Sequence, residues 1–90
     1  MKFSWHERKA TRNLSKHGIS FQEGATVFRD QLAVTGYDPD HSEGEDRYVT
    51  FGMSTKNRLL VVSHADDGDT IRIISCRPAT KPERMIYEEG

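Results

Sequence analysis

The sequence predicts an α+β domain: two short helices, a meander of β-strands and a closing helix. Three observations carry this. Ser/Thr-x-x-Glu capping boxes stand at Ser4–Glu7, Ser20–Glu23 and Thr80–Glu83. Residues 47–53 alternate in character, as a strand with two different faces does. Two apolar runs, 58–65 and 70–77, flank Asp66-Asp67-Gly68-Asp69, which has the composition of a tight hairpin turn.

Met1–Phe3 suits a short first strand. Ser4 and Glu7 would satisfy free amides at the start of a helix ending near Lys16-His17, with Ala10 and Leu14 on one face. Gly18 suits the left-handed position that closes a helix. The Ser20 box opens a second helix that sets Phe21, Ala25 and Phe28 on one face, weakened modestly by Gly24. Leu32-Ala33-Val34 suggests a strand, and residues 36–46 a loop rich in Gly, Pro and acids. In the strand Arg47–Met53, Arg47, Val49, Phe51 and Met53 share one face, and Tyr48, Thr50 and Gly52 the other. After a turn at 54–57, Arg58–Ala65 is apolar on both faces and reads as central. Thr70–Arg77 is its hairpin partner. Thr80 and Glu83 cap a last helix carrying Met85 and Ile86, with Pro82 tolerated in its first turn. The expected order is β-α-α-β-β-β-β-α, a mostly antiparallel sheet of four or five strands with the first two helices on one face.

Register can be argued from the turn. With Asp67-Gly68 as a two-residue loop, Arg58 faces Arg77, Leu60 faces Ser75, Val62 faces Ile73 and His64 faces Ile71. Ser63 then meets Arg72 on the opposite face. Opposed cations destabilise a pair, so Arg58 and Arg77 would want an anion between them. A slip of one residue would exchange the faces.

Ninety residues make one domain with a thin core. No apolar run is long enough to span a membrane, and no signal-peptide core follows Lys2, so a cytoplasmic protein is expected. The single cysteine, Cys76, reads as a small buried hydrophobe. The net charge of −1 is segregated: residues 1–29 balance at +4, residues 30–46 at −6 and residues 47–90 at +1. A polyanion would therefore meet a local cationic surface, with the acidic stretch turned elsewhere or covered by a partner.

RNA cleavage through the 2′-hydroxyl needs a base, an acid and cations around the phosphate. The chain offers His17, His41, His64, Glu45, Arg47, Arg58, Arg72 and Arg77 for these tasks. Guanidinium grips phosphate with two parallel donors. The bland alternative is that the arginines pair with the chain's own acids. Lys16 and His17 serve equally as dipole partners at a helix end or as contacts to a polyanion. His64 reads as a hydrogen-bonded core or rim side chain. Residues 38–46 lack the spacing of a calcium loop, and nothing pairs Cys and His as zinc would require.

One ordered set of residues is more specific than any of its parts. Trp5, Asn13-x-x-Lys16-His17-Gly18, Phe21, Ala25 and Phe28 come first. Asp38-Pro-Asp-His41-Ser42-x-Gly-Glu45-Asp-Arg47 and Gly52 follow. Arg58-Leu-Leu-Val-Val, His64, Arg72-Ile-Ile-Ser-x-Arg77-x-Ala79, Glu83-Arg84 and Tyr87 complete it. Over nearly the whole chain this resembles the BrnT family. The family usually has an acidic residue where this chain has His6, and often a basic one where it has Pro78. The resemblance implies a RelE/ParE-like fold and a toxin of a type II toxin–antitoxin system, an endoribonuclease that stops translation without metal or other cofactor. It implies a catalytic set of Glu45, Arg47, Arg72 and Arg77, with Lys16, His17, Arg58 and His64 on the RNA. The implied partner is a BrnA-like ribbon-helix-helix antitoxin, in a heterotetramer that touches operator DNA only through the antitoxin. The rival is a non-catalytic RelE-like binding module, acting as an antitoxin-bound co-repressor or a docking inhibitor.

Overall fold

The computed structural model describes residues 1–90. Its strands are β1 (Lys2–Ser4), β2 (Val34–Tyr37), β3 (Arg47–Met53), β4 (Leu59–Asp67) and β5 (Thr70–Pro78); its helices are α1 (Glu7–His17), α2 (Phe21–Thr26) and α3 (Lys81–Glu89). One mixed sheet runs in the order β1-β5-β4-β3-β2. The pairs from β2 to β5 are antiparallel, and β1 lies parallel to β5 through Lys2↔Thr70, Phe3↔Ile71 and Ser4↔Arg72.

Local chemistry explains the helices, with three corrections. Ser4 lies in β1, so His6 stands at the N-cap of α1 and makes no side-chain cap, and Glu7 instead accepts from the Trp5 indole at 2.8 Å. Leu14 is exposed; the buried residue of α1 is Asn13. Gly18 closes α1 at φ +71°, a conformation that penalises a Cβ. Ser20 caps α2 by accepting from the Glu23 amide, but the Glu23 carboxylate turns inward rather than back to Ser20. Thr80 and Glu83 form both halves of the third capping box.

The core lies between α1, α2 and one face of the sheet. Ile19, Phe21, Val27, Leu60, Val62, Ile73 and Cys76 form its cluster, each fully or almost fully buried. Burying such side chains contributes roughly 1.5–3 kcal/mol each for the larger ones. Gly52 lets the chain after α2 lie directly on β3, since a Cβ there would stand 2.6 Å from Val27 Cγ1. Cys76 is buried, and burial pushes its thiol up to about 12, so it packs as a hydrophobe. Beyond Ser4, β1 no longer covers β5. There Asn13 takes the place of a neighbouring strand: its Nδ2 donates to the Cys76 carbonyl at 2.8 Å and its Oδ1 accepts from the Cys76 amide at 3.1 Å.

The hairpin register differs from the expectation. The strands pair through Asp67↔Thr70, which leaves Gly68-Asp69 as the loop with Gly68 at φ +61°. His64 therefore faces Ile73, not Ile71, and Arg72 faces Ala65, not Ser63. A bulge follows: Ser63 pairs with Ser75, so Ile74 is an extra residue in β5. Past it Arg77 faces Val61 rather than Arg58, and no opposed cation pair exists.

Candidate active site

The bulge decides where the arginines point. Arg72 and Arg77 are five residues apart and would lie on opposite faces of a regular strand. The extra residue resets the alternation, so Arg72 opposes Ala65 and Arg77 opposes Val61, two positions on the same face of β4. Arg47, Val49 and Phe51 of β3 oppose Ala65, Ser63 and Val61, and so share that face. It is the face turned away from α1 and α2.

A groove of about 560 Å³ runs over it. Val49, Phe51 and Val61 form its apolar floor, and Ser63 and Ser75 add hydroxyls. Gly36 in β2 carries no side chain to obstruct it. Arg77 and Glu83 stand at the end where α3 begins; Asp38, His41 and Arg47 stand at the loop end. The Tyr87 hydroxyl anchors α3 by donating to Asp30 Oδ2 at 2.6 Å. Burial would raise the Asp30 pKa, but this bond and the Met53 and Leu32 amides outweigh it and hold the carboxyl low.

Each arginine here has a carboxylate. Arg77 grips Glu83 with two bonds, Nη1 to Oε1 at 2.7 Å and Nη2 to Oε2 at 2.8 Å. The guanidinium, with the Thr80 amide and hydroxyl in support, holds the Glu83 carboxyl down to about 2 against the cost of burial. Beside the groove, Glu45 Oε1 accepts from Arg72 Nη2 and lies 3.5 Å from Arg47 Nε, so one oxygen serves two cations. Arg47 Nε is buried and has no hydrogen bond. The structure thus brings Glu45, Arg47, Arg72 and Arg77 onto one sheet face and its adjoining edge.

Two sequence candidates lie elsewhere. His64 is 1 % exposed on the helix-covered face, between Thr50 Oγ1 at 2.8 Å and Asp66 Oδ1 at 2.7 Å, so no polymer can touch it. Arg58 lies outside the groove and donates to Glu23, whose side chain is 2 % exposed and also accepts from Ser54. Hydrogen bonding to Arg58 is the main cause that lowers the Glu23 pKa. Lys16 and His17 line a separate cleft between α1 and β5 with Lys9 and Arg12. That cleft meets the groove at Ile74 and Ser75, which border both. Arg8, Lys9, Arg12 and Lys16 form no ion pair, so the cationic charge of α1 is free.

Two pairings escaped the sequence reading, that of Arg77 with Glu83 and that of His41 with Asp38. Glu83 was legible only as a cap, because the bond from Arg77 depends on how α3 folds back. His41 is fixed by Asp38, whose Oδ2 lies 2.9 Å from His41 Nδ1. The i,i+3 spacing behind Pro39, which starts a 3₁₀ turn, was its available signal. No three His, Cys, Asp or Glu side chains converge as metal ligands would.

The family described as "Ribonuclease toxin, BrnT, of type II toxin-antitoxin system" matches residues 5–83. The 1.1 Å crystal structure of the Brucella abortus ribonuclease toxin BrnT superposes with a TM-score of 0.67 at 26% sequence identity, covering 90% of this chain and 99% of that one. No protein among those with curated descriptions matches the chain.

Proposed function

Since this chain belongs to the BrnT family of ribonuclease toxins of type II toxin–antitoxin systems, we propose that the arginine-lined groove is where it cleaves RNA. The carrying observation is the β5 bulge, which sets Arg72 and Arg77 on the face already occupied by Arg47. Bulges recur beside active sites because they re-aim side chains. In this reading Arg77 and Arg47 hold the scissile phosphate as charge builds on it. Arg72 and Glu45 complete the set. Glu45, one of the proton acceptors the sequence offers, has one oxygen shared by two guanidiniums, so it serves to fix Arg47 and Arg72. The free cations of α1, Lys16 among them, guide the flanking phosphates toward Ser75, with His17 in the same cleft.

A type II family implies a protein antitoxin. We take this to be BrnA-like, a ribbon-helix-helix protein forming a heterotetramer and alone contacting operator DNA. The fold is RelE/ParE-like in this reading, cleavage stops translation, and it proceeds without metal.

The test is purified protein incubated with RNA in chelator, beside Arg77→Ala and Glu83→Gln. Cleavage by wild type, retained far better by Glu83→Gln than by Arg77→Ala, is the expected result. A specific observation favours the second reading, a non-catalytic module: Arg47 and Arg77 in the groove and Arg72 beside it already have carboxylate partners. Growth arrest by a protein that leaves RNA intact would establish that one and end the ribonuclease reading.

A further inference from the structure

We propose that His41, oriented by Asp38, is a catalytic residue of this groove and takes the proton from the attacking 2′-hydroxyl. This rests on the ribonuclease reading above and supplies the base that reading lacks. Four observations carry it.

His41 lines the groove together with Arg47 and Arg77. Its Nδ1 lies 2.9 Å from Asp38 Oδ2. A carboxylate there fixes the ring and the tautomer, with the proton on Nδ1, and leaves Nε2 with a free lone pair. The pair is tied to the strand that carries Arg47. The Asp38 amide donates to the Arg47 carbonyl at 2.9 Å; Ser42 Oγ donates to the Asp38 carbonyl and accepts from the Arg47 amide at 3.0 Å. The position of His41 relative to the phosphate-holding guanidinium is therefore set by β3. Finally, the other proton acceptors are committed elsewhere. His64 is enclosed, His17 is in the neighbouring cleft, Glu45 is shared by two arginines, and Glu83 is gripped by Arg77.

The step balances without a co-reactant beyond water. Nε2 removes the 2′-hydroxyl proton as O2′ bonds to phosphorus. The P–O5′ bond breaks with its electron pair going to O5′, which takes a proton from solvent. One product ends in a 2′,3′-cyclic phosphate and the other in a 5′-hydroxyl. His41 then returns its proton to water.

The probe is a fluorescent oligoribonucleotide of mixed sequence, cut under single-turnover conditions by wild type, His41→Ala and Asp38→Asn. General-base loss should slow His41→Ala by about 10²–10⁴-fold, with RNA affinity by anisotropy kept within about threefold, since His41 carries no phosphate contact in this scheme. Added imidazole should restore part of that rate, which a merely structural histidine would not allow. Asp38→Asn should lose less than His41→Ala. A fully 2′-deoxy oligonucleotide should resist. Wild-type cleavage with undiminished cleavage by His41→Ala would overturn the dyad alone, as would products ending in 5′-phosphate. No cleavage by wild type would overturn the ribonuclease reading, and the dyad with it.

Discussion

Glu23–Arg58 and Glu83–Arg77 are both two-point guanidinium–carboxylate pairs, set on opposite sides of the same sheet. Glu23 is enclosed, its side chain 2 % exposed, and it also accepts from Ser54. That pair joins α2 to the turn between β3 and β4. Glu83 is 21 % exposed and its arginine 39 %, on the wall of a groove that holds one more arginine, Arg47. The bonding is the same; the setting differs. A buried carboxylate must keep its cation, because losing it leaves a charge out of water. A groove-side carboxylate can share its cation with an incoming phosphate at smaller cost. Pairing geometry therefore does not separate a structural arginine from the functional one proposed here; position on the sheet is what the proposal rests on.

The largest expected effect breaks the comparison on its functional side. Arg77→Ala should lower RNA cleavage by about 100-fold or more per folded molecule, the range for removing one transition-state donor. Because Arg77 also stabilises Glu83, the comparison belongs well below the melting temperature. A rate within a few-fold of wild type would make Arg77 a second structural arginine.

Acid sharpens the comparison next. The Glu83 pKa is depressed from an ordinary value near 4.5 to about 2. A depressed folded value means stability that is present above the unfolded pKa and lost as pH falls through the folded one. Wild type should lose stability on the order of 2–3 kcal/mol between about pH 4.5 and pH 2 from this group. Glu23 is shifted in the same direction and adds to the slope. Urea melts across this range should show Glu83→Gln with a shallower dependence; an unchanged slope would refute the strength assigned to the pair.

On the structural side, Glu23→Ala leaves Ser54 and Arg58 without their acceptor. It should cost about 2 kcal/mol of stability, lowering the melting temperature by roughly 10 °C for a domain of this size. Cleavage per folded molecule should hold. If calorimetry showed no change while cleavage collapsed, the two pairs would have exchanged roles.

The smallest effect concerns the free cations. Lys16→Ala should weaken RNA binding only a few-fold and reduce the salt slope by about 0.7, the share of one single-strand phosphate contact. An unchanged slope would take α1 out of the RNA path.

The sequence made much of this legible, and the failures have identifiable causes. The Ser20 and Thr80 caps, the Gly18 stop, the bounds of β3 and the burial of Cys76 all follow from neighbours within a few residues. Leu14 failed because Asn13, one position away, faces inward to hold the open edge of β5. The register failed because Asp66-Asp67-Gly68-Asp69 permits two adjacent loops, and the structure uses Gly68-Asp69. The catalytic set was named largely from the resemblance. That Arg72 and Arg77 share a face was not legible, since strand periodicity argued the reverse.

By itself, then, the sequence determined the helices and most of the strands, their order, and the family to which the chain belongs; β2 was misplaced, since it runs over Val34–Tyr37 into residues read as loop. Those depend on short-range patterns: caps, alternation, turn residues and the spacing of motif residues. Tertiary structure alone decided which face each arginine occupies and which acid it meets. A single inserted residue, Ile74, turns Arg77 to the side of Arg72, and α3 must fold back before Glu83 can reach it. Such choices arise from long-range pairing, where one residue of slip exchanges faces, and no local pattern encodes that slip.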